Sequence, residues 1–308
     1  MLVCSKTPRY NKTSQIKAIW QKGQAIQMGA YLSKYKVRKI YEDTYSIADY
    51  GINQGPVYMY LLVGSKNALL VDSGYGGIDL PAVIGKITDK PVTCLCTHGH
   101  VDHACGAYHF EKSYLHSADF GVYADWCNGE KMRALGTQGL SFTPDAQQLA
   151  DKNYQALICS LADQPRGPLL PLEDVPEFDL GGGRLVTWTP IPGHTPGSVS
   201  VIDHKYKTAF DSDGAASGVW LFLPESSSVA AYRDVLAQYE AYLKQEGIQK
   251  HYVGHMGRCL NTRRNLDLLA CCDTILFNRK PPYDVTMRTG QAKLMFSHDT
   301  LVFYNRVR

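Results

Sequence analysis

The sequence predicts an α/β protein folded as an αββα sandwich, in which two mixed β-sheets pack face to face and helices flank them. Two observations indicate this fold class. Short apolar runs typical of buried strands alternate with helix-like segments from residue 58 onward. The two halves of the chain also resemble each other in the order of these segments, which is typical of two similar layers. With 308 residues, 44% of them hydrophobic, the chain can bury a large core.

The first half of the chain contains three apolar runs separated by turns. Strands are predicted at 58–63, 68–74 and 91–99. The apolar spacing of residues 80–87 predicts a helix packed on this sheet between the last two strands. A short strand followed by a helix is predicted at 114–126.

The second half repeats the pattern and contains the clearest helix signal. Strands are predicted at 182–193, 198–204, 206–213 and 251–255. A helix is predicted to start after the serines at 226–228, which can cap it, and to end at Gly247. The tail is expected to form a helix near 263–277 and a terminal hairpin within 293–307.

The chain is predicted to have two parts. Residues 1–40 form a basic extension, in which nine lysines and arginines precede the first acidic residue, Glu42, and apolar residues fall at helical spacings. We expect this helical extension to pack on its own domain or to build a homo-oligomer; an organellar address or a polyanion-binding arm is the alternative. Residues 41–308 form a single domain, with an irregular, lid-like insertion at about 127–178, where glycine and proline are frequent.

Composition favours a small-molecule partner. The net charge of +3, from 32 basic and 29 acidic residues, gives no strong field to attract nucleic acid or membrane lipid. No apolar run approaches the roughly 20 residues needed to span a bilayer, and no secretory signal is recognisable. Nine scattered cysteines are typical of reduced thiols. We therefore expect a soluble cytoplasmic protein without nucleic-acid or membrane partners.

The stretch THGHVDH, residues 97–103, carries three histidines and one aspartate in seven positions. A lone buried histidine is usually an ordinary core residue, but this density of donors is typical of a metal site. In an extended segment His98 and His100 point to one side, and the chain must then turn to bring Asp102 and His103 close. Because the stretch follows a predicted strand, its donors are expected at the carboxyl edge of a sheet, where α/β proteins bind ligands.

Three more donors follow apolar runs later in the chain. His194 lies in PGHTPGS, Asp213 in FDSDG and His255 in VGHMG. Imidazole and carboxylate donors suit zinc, iron or manganese. Cys94 and Cys96 alternate on the preceding strand and are expected to be core thiols rather than ligands.

These motifs, preceded by ALLVDSGYG, resemble the metal motifs of the metallo-β-lactamase-fold hydrolase superfamily, in particular its glyoxalase II and lactonase-like branch. The resemblance covers roughly residues 40–260, and the motifs occur in the family's order. It implies the αββα fold that the strand pattern also predicts. It further implies a metal-dependent hydrolase acting on a small ester, lactone or thioester.

The resemblance implies two divalent metal ions, with zinc expected and iron or manganese as alternatives. The ligands that it implies form two sets and a bridge: His98, His100 and His194; Asp102, His103 and His255; and Asp213 between the two metals. Two metals about 3.5–4 Å apart can share a hydroxide near neutral pH, which would be the nucleophile. Asp102 and Asp213 would be the catalytic residues, with Asp213 taking up or relaying a proton to the departing group. Asp72, in the DSG turn, is expected to support the site.

Two other functions stay open at this point. One is a persulfide dioxygenase that uses a single iron, because such enzymes share some of these ligands. The other is a metal-binding regulatory protein without turnover. The complete donor set favours two metals and catalysis.

The chain departs from the family pattern near the predicted bridge, and several residues are candidates for substrate contacts. Ser212 precedes Asp213 where the family usually has glycine, and Asp211 offers a second carboxylate, although the sequence register favours Asp213.

Lys131 or Arg133 is predicted to bind an anionic part of the substrate. The other candidates for substrate contacts are Tyr123, Trp126, Met132, Trp220 and Phe222.

Overall fold

The computed structural model describes residues 35–50, 56–138, 152–164, 166–287 and 290–308. The strands are β1 (Tyr35–Tyr41), β2 (Thr44–Asp49), β3 (Val57–Val63), β4 (Ala68–Val71), β5 (Val92–Leu95), β6 (Ser113–Leu115), β7 (Leu170–Pro171), β8 (Glu177–Asp179), β9 (Leu185–Pro190), β10 (Val199–Asp203), β11 (Thr208–Phe210), β12 (Gly218–Leu221), β13 (Lys250–Val253), β14 (Met256–Asn261), β15 (Tyr283–Met287), β16 (Gly290–Ser297) and β17 (Thr300–Tyr304). The helices are α1 (Leu80–Ile84), α2 (Val101–Ala104), α3 (Phe120–Trp126), α4 (Gly129–Gln138), α5 (Lys152–Asp163), α6 (Val229–Glu246) and α7 (Arg263–Leu276). Short 3₁₀ turns lie at Cys105–His109, Ser117–Asp119 and Leu172–Asp174.

Two mixed sheets form the centre of the fold. The first has the order β1-β2-β3-β4-β5-β6-β7, antiparallel from β1 to β4 and parallel from β4 to β7. The second has the order β14-β13-β11-β10-β9-β8, and in it only β11 and β13 are parallel neighbours. The mixed sheets and flanking helices confirm the predicted fold class.

The two sheets pack face to face through alternate residues of their strands. On β3, Tyr60 and Leu62 point into the sandwich, where they meet the second sheet's Val201 and Phe210. Alternate β3 residues, such as Met59 and Leu61, point outward into a core shared with α1, α2 and α3. The outer side of the second sheet is covered by α6 and α7. None of the described helices combines the length and apolar character needed to cross a bilayer.

Backbone hydrogen bonds also join the two sheets at one edge of the sandwich. Val199 N donates to Thr97 O at 2.9 Å, and Tyr58 N donates to Gly254 O at 2.8 Å. Thr97 belongs to the first sheet's histidine-rich stretch, whereas Gly254 lies between β13 and β14. The backbones of both layers are therefore fixed to each other where the predicted donors begin.

Helix α6 forms as its sequence predicts. Its N-cap, Ser228, accepts a hydrogen bond from Ala231 N through its hydroxyl, and Gly247 ends the helix with φ +67°, a conformation that glycine adopts without strain. Its buried face packs on the second sheet and consists of Val229, Tyr232, Leu236, Tyr239 and Leu243.

A third sheet extends the structure beyond the expected two. Its order is β12-β17-β16-β15, so the predicted terminal hairpin, β16 and β17, is confirmed and gains a strand on each side. Strand β12 comes from the middle of the chain and pairs parallel to β17. This distant pairing has no local sequence signal, which explains why the prediction has one sheet too few.

The structure differs from the prediction for the N-terminal extension at residues 35–40. They belong to β1, an antiparallel edge strand of the first sheet, and not to a helix. The strand alternates Tyr35, Val37 and Lys39 with Lys36 and Arg38. An edge strand hydrogen-bonds to a neighbouring strand along one side, and charged side chains are common on such strands. Residues 1–34, the rest of the predicted extension, lie outside the described part of the chain.

The segment at 127–178, predicted to be irregular, contains two helices, α4 and α5, in its described part. Good helix formers, including Glu130, Lys131 and Met132, lie between the glycines that suggested a loop. Met132 on α4 and Ile158 on α5 are buried in the core under the first sheet. Residues 139–151 and 165 lie outside the described residues, and a lid role for the segment stays a prediction.

Candidate metal centre

The predicted donors meet at one edge of the sandwich because each follows the end of a strand. His98 and His100 follow β5, and Asp102 and His103 lie on the short helix α2 behind them. In the second sheet β9, β11 and β13 run in the same direction. Their carboxyl ends therefore share an edge, and His194, Asp213 and His255 follow these three ends.

The structure brings all seven predicted ligands together in three overlapping groups. Within each group, one possible ligand atom from every residue lies within 4.8 Å of the others. The groups are His98, His100 and His194; His98, His103 and Asp213; and Asp102, His103 and His255. Two of these groups match the two sets that the sequence predicted, and the third places Asp213 with one histidine from each set.

Unpartnered atoms within these groups fit a bound cation. His98 Nε2, His103 Nε2 and Asp213 Oδ1 are buried and make no hydrogen bond among the described residues. Buried polar atoms without partners carry a free-energy cost that proteins usually avoid. His100 Nδ1 and His194 Nε2 approach to 3.0 Å, so both nitrogens point toward the same small space. A metal ion would satisfy these atoms together, and the residues present fit one.

The electrostatics of the site also favour a bound cation. Burial and the neighbouring imidazoles lower the pKa of His98 well below its usual range and that of His194 to about 4. These rings are therefore neutral near pH 7, which is the form that binds metals. Burial opposes charge on His255 too, but Asp213 and Asp102 raise its pKa to about 10. The two carboxylates thus favour a positive charge at this place.

One glycine allows the two layers to meet at the site. A Cβ atom on Gly254 would lie 2.5 Å from His103 Cε1 and 2.8 Å from Asp213 Oδ1. Any side chain at this position would displace both donors. Gly254 is therefore required for close packing against His103 of the first sheet and Asp213 of the second.

Asp72 holds His103 in place. Its Oδ2 accepts a hydrogen bond from His103 Nδ1 at 2.8 Å, which leaves Nε2 directed into the donor cluster. Its Oδ1 accepts from the amide and the hydroxyl of Thr97 at 2.7 and 2.8 Å. Asp72 is buried at the end of β4 with φ +63°. The carboxylate orients the imidazole and connects it to the start of the THGHVDH stretch.

Asp119 connects the two histidine loops, a role that no motif in the sequence predicts. The side chain is fully buried and accepts hydrogen bonds from Gly99 N at 2.8 Å, Thr195 Oγ1 at 2.6 Å and Gly197 N at 2.6 Å. Gly99 lies between two predicted ligands, and the other two residues follow His194 in its loop. Asp119 occupies the N-cap position of α3, yet its carboxylate makes no cap hydrogen bond and reaches these loops instead.

Glu225 supports His100 from the side opposite the donor cluster. His100 Nε2 lies 2.9 Å from Glu225 Oε1, which also accepts a hydrogen bond from Trp126 Nε1 at 2.8 Å. Burial alone would raise the pKa of Glu225, but the bonds from His100 and Trp126 lower it to about 2. The carboxylate is therefore ionised and fixes the His100 tautomer that presents Nδ1 to the cluster.

Glu225→Gln is expected to weaken metal binding by roughly 10–100-fold, because the amide loses the charge that orients His100. The measurement is competition for zinc with a chromogenic chelator. Glu173→Gln is the matched control, since Glu173 accepts hydrogen bonds from Ser117 away from the donor cluster. Equal zinc affinity in the two variants would contradict this role of Glu225.

A cavity of about 330 Å³ opens over the donors. His100, Asp102, His194, Asp213 and His255 contribute to its floor. Its walls are mainly apolar and include Trp126, Trp220, Leu223 and Met256. The combination of an apolar wall and a few convergent polar groups is typical of a small-molecule site.

Comparison with known proteins identifies the family. The model of the metallo-beta-lactamase superfamily matches residues 52–270. The chain belongs to this superfamily. The predicted resemblance is thereby confirmed, and the matched range contains every donor of the site.

Individual relatives within the superfamily are distant. The acyl-coenzyme A thioesterase MBLAC2 of Homo sapiens is 25% identical over 209 residues, covering 64% of this chain and 72% of that protein. The hydroxyacylglutathione hydrolase GloC of Haemophilus influenzae is 29% identical over 148 residues, covering 48% of this chain and 61% of that protein. Among solved structures, the DIM-1 metallo-beta-lactamase aligns with a TM-score of 0.53 at 15% identity, covering 79% of this chain and 98% of that chain. That likeness shows a shared fold.

The two departures near Asp213 have separate structural explanations in this superfamily member. Ser212 adopts φ +47°. Its hydroxyl donates a hydrogen bond to Asp72 Oδ2 at 2.9 Å, and the same hydroxyl oxygen lies 3.0 Å from His103 Nδ1. Asp211 points away from the donors into a buried network, where His251 Nδ1 and Arg264 Nη2 lie 2.7 and 2.6 Å from its Oδ2. Burial raises the pKa of Asp211, but His251 and Arg264 lower it below the usual range. Asp213, and not Asp211, therefore lies with the metal-binding groups.

The predicted substrate contacts of this superfamily member divide into two classes. Trp126 and Trp220 line the cavity. Tyr123, Met132 and Phe222 are buried in packing and do not line it. Lys131 pairs with Asp125 and lies over the Trp126 ring at 4.5 Å, and Arg133 pairs with Asp163. Both predicted anion-binding cations thus have carboxylate partners of their own.

Proposed function

We propose that this chain is a hydrolase that cleaves thioesters at a centre of two divalent metals, with zinc as the expected metal. The overlap of the donor groups carries the proposal. Asp213 is grouped with His98, from one predicted ligand set, and with His103, from the other. A carboxylate at that position can bridge two cations, as two-metal hydrolytic sites require.

The choice of thioesters over esters and lactones is supported by the curated relatives. One is named as an acyl-coenzyme A thioesterase, and another as a hydroxyacylglutathione hydrolase. Metals bound at the site would supply Lewis acidity and lower the pKa of water. In the net reaction a water oxygen is added to the acyl carbon, the carbon–sulfur bond breaks, and the thiol leaves with a proton.

Asp102 and Asp213 contribute ionised carboxylates to this reaction. Burial works against their charge, but His103 and His255 lower the pKa of both groups well below the usual range. Asp213 Oδ1 has no hydrogen-bond partner among the described residues. This oxygen is therefore free to bind a metal, and we assign the relay of a proton toward the departing sulfur to the same carboxylate.

The walls of the cavity restrict water and position the substrate. Trp126 is held by its bond to Glu225, and the backbone oxygen of Trp220 lies 2.9 Å from His194 Nδ1. Both aromatic walls are therefore connected to predicted ligands. A substrate that enters between them replaces water next to the carboxylates, which strengthens electrostatic interactions there.

The test combines metal quantification with a panel of thioester, lactone, phosphodiester and β-lactam substrates. Wild-type protein is expected to hold two metals per chain and to release thiol from thioesters, followed with a thiol-reactive dye. His103→Ala is expected to lose metal and activity together. His204→Ala is the matched control, because His204 follows β10 at the opposite edge of the second sheet and contacts Thr187.

Other results would overturn the proposal in distinct ways. One iron per chain with oxygen consumption would support the persulfide dioxygenase alternative. Two metals without turnover of any substrate would support a regulatory protein. Full thioesterase activity in metal-free protein would exclude the metal-dependent reaction altogether.

A further inference from the structure

The third sheet has two faces of different character. Toward α6 and α7 it buries alternate residues such as Val219, Met295 and Val302. On the opposite side, six large apolar residues form a surface that we call the apolar face: Trp220, Leu301, Phe303, Leu294, Phe296 and Tyr283. The other alternate positions on this side are glycine, alanine, valine or methionine. The apolar face therefore presents hydrocarbon and aromatic rings without a charged group.

The strand pairing arranges the apolar face as a row across the sheet. Trp220 pairs with Phe303, Phe303 with Leu294, and Leu294 with Tyr283. Three inter-strand spacings of about 4.8 Å give the row a length of roughly 14 Å. At its far end Tyr283 and Phe296 are 57% and 49% exposed and stack with ring centroids 5.7 Å apart. The other four residues of the face are half-buried. A continuous apolar surface that reaches solvent in this way marks a binding site more often than an ordinary surface.

The near end of the row is continuous with the metal cavity. Trp220 and Leu223 line the cavity beside His100 and His194. Leu223 belongs to a small buried cluster with Phe222, against which Trp220 and Phe303 pack. An apolar path thus leads from the donor cluster onto the sheet surface without crossing a charged side chain of the row.

We propose that the apolar face binds the hydrocarbon tail of a long-chain acyl thioester whose carbonyl lies at the metal centre. This assignment rests on the proposed function and names its substrate class. The absence of charge along the row fits a hydrocarbon tail, and the row's continuity with the cavity fits a tail attached to the reacting carbonyl. Strands β15, β16 and β17 lie beyond residues 52–270, so most of this surface lies outside the part matched by the family model.

The test uses acetyl-, octanoyl- and palmitoyl-coenzyme A as substrates. Each methylene fully removed from water contributes about a fourfold change in affinity, so even a half-open face should raise kcat/KM at least about 100-fold from acetyl to palmitoyl. Phe296→Ser is expected to lower the palmitoyl-to-acetyl ratio of kcat/KM about tenfold. Phe277→Ser is the matched control, because Phe277 is 65% exposed at the end of α7 and is not part of the apolar face.

A binding measurement separates this proposal from the proposed function. A non-hydrolysable palmitoyl thioether of coenzyme A should bind wild-type protein more tightly than it binds the Phe296→Ser variant. Binding is followed by tryptophan fluorescence.

Tighter binding to wild-type protein without turnover of any thioester would support the apolar face as a lipid-binding site and overturn the proposed hydrolase function. Turnover with equal chain-length ratios in Phe296→Ser and Phe277→Ser would overturn the apolar face as the tail site. Loss of a dimer in Phe296→Ser by sedimentation, with an unchanged ratio, would instead assign the face to a second copy and overturn the proposal.

Discussion

Asp213→Ala is expected to lower the metal content to one ion or fewer per chain and to reduce kcat/KM for the proposed thioester hydrolysis about 1000-fold. The reason is the position of the carboxylate: Asp213 Oδ2 lies 3.2 Å from His255 Nε2 and 3.7 Å from His103 Nε2. Without it, two cations would lose their common ligand and repel each other at short distance. A 1000-fold loss corresponds to about 4 kcal/mol of transition-state stabilisation. Metal is measured by elemental analysis and activity by thiol release.

Asp89→Ala provides the control for this variant. Asp89 pairs with Lys90 on the surface, and its side chain is 91% exposed. This substitution should leave both metal content and activity at wild-type values. If Asp213→Ala retained two metals per chain and more than about a tenth of the wild-type kcat/KM, the bridging position of Asp213 would be wrong.

Asp119→Ala is expected to destabilise the protein by about 3–5 kcal/mol, because three buried donors lose their acceptor. The substitution removes the acceptor of three buried donors, two backbone amides and the Thr195 hydroxyl. Each donor left unpaired costs about 1–3 kcal/mol. The free energy of unfolding is measured by chemical denaturation of the metal-free protein. Zinc affinity should fall as well, since the loops of His98 and His194 lose their common anchor.

The neighbouring helix α3 supplies a control for Asp119. Asp125 is a surface residue there that pairs with Lys131, and its side chain is 64% exposed. Asp125→Ala should change the free energy of unfolding by less than about 0.5 kcal/mol. An Asp119→Ala variant as stable as Asp125→Ala would show that the three hydrogen bonds contribute little.

The ligands could be predicted from sequence because the family's signal is local. His98, His100 and His103 lie within six residues, and the later donors sit in short motifs that end apolar runs. Strand ends can be predicted from such runs, and the ends of neighbouring strands meet at one edge. The fold class followed from the same alternation of strands and helices.

The supporting residues could not be predicted because their partners are distant in sequence. Asp119 lies 76 positions from Thr195, and Glu225 lies 125 positions from His100. Neither is part of a pattern, and Asp119 looks like an ordinary helix cap. Their roles depend on how loops pack in three dimensions. The third sheet was missed for the same reason, since β12 and β17 are paired only by the completed fold.

The backbone bonds between Thr97 and Val199 and between Tyr58 and Gly254 have a consequence for metal loading. Four donors belong to one layer of the sandwich and three to the other, so the centre lies on the boundary between the two sheets. A cation bound there would act as a cross-link between the layers, and its binding free energy would add to the free energy that holds them together. Removing metal should therefore loosen this boundary before either sheet unfolds.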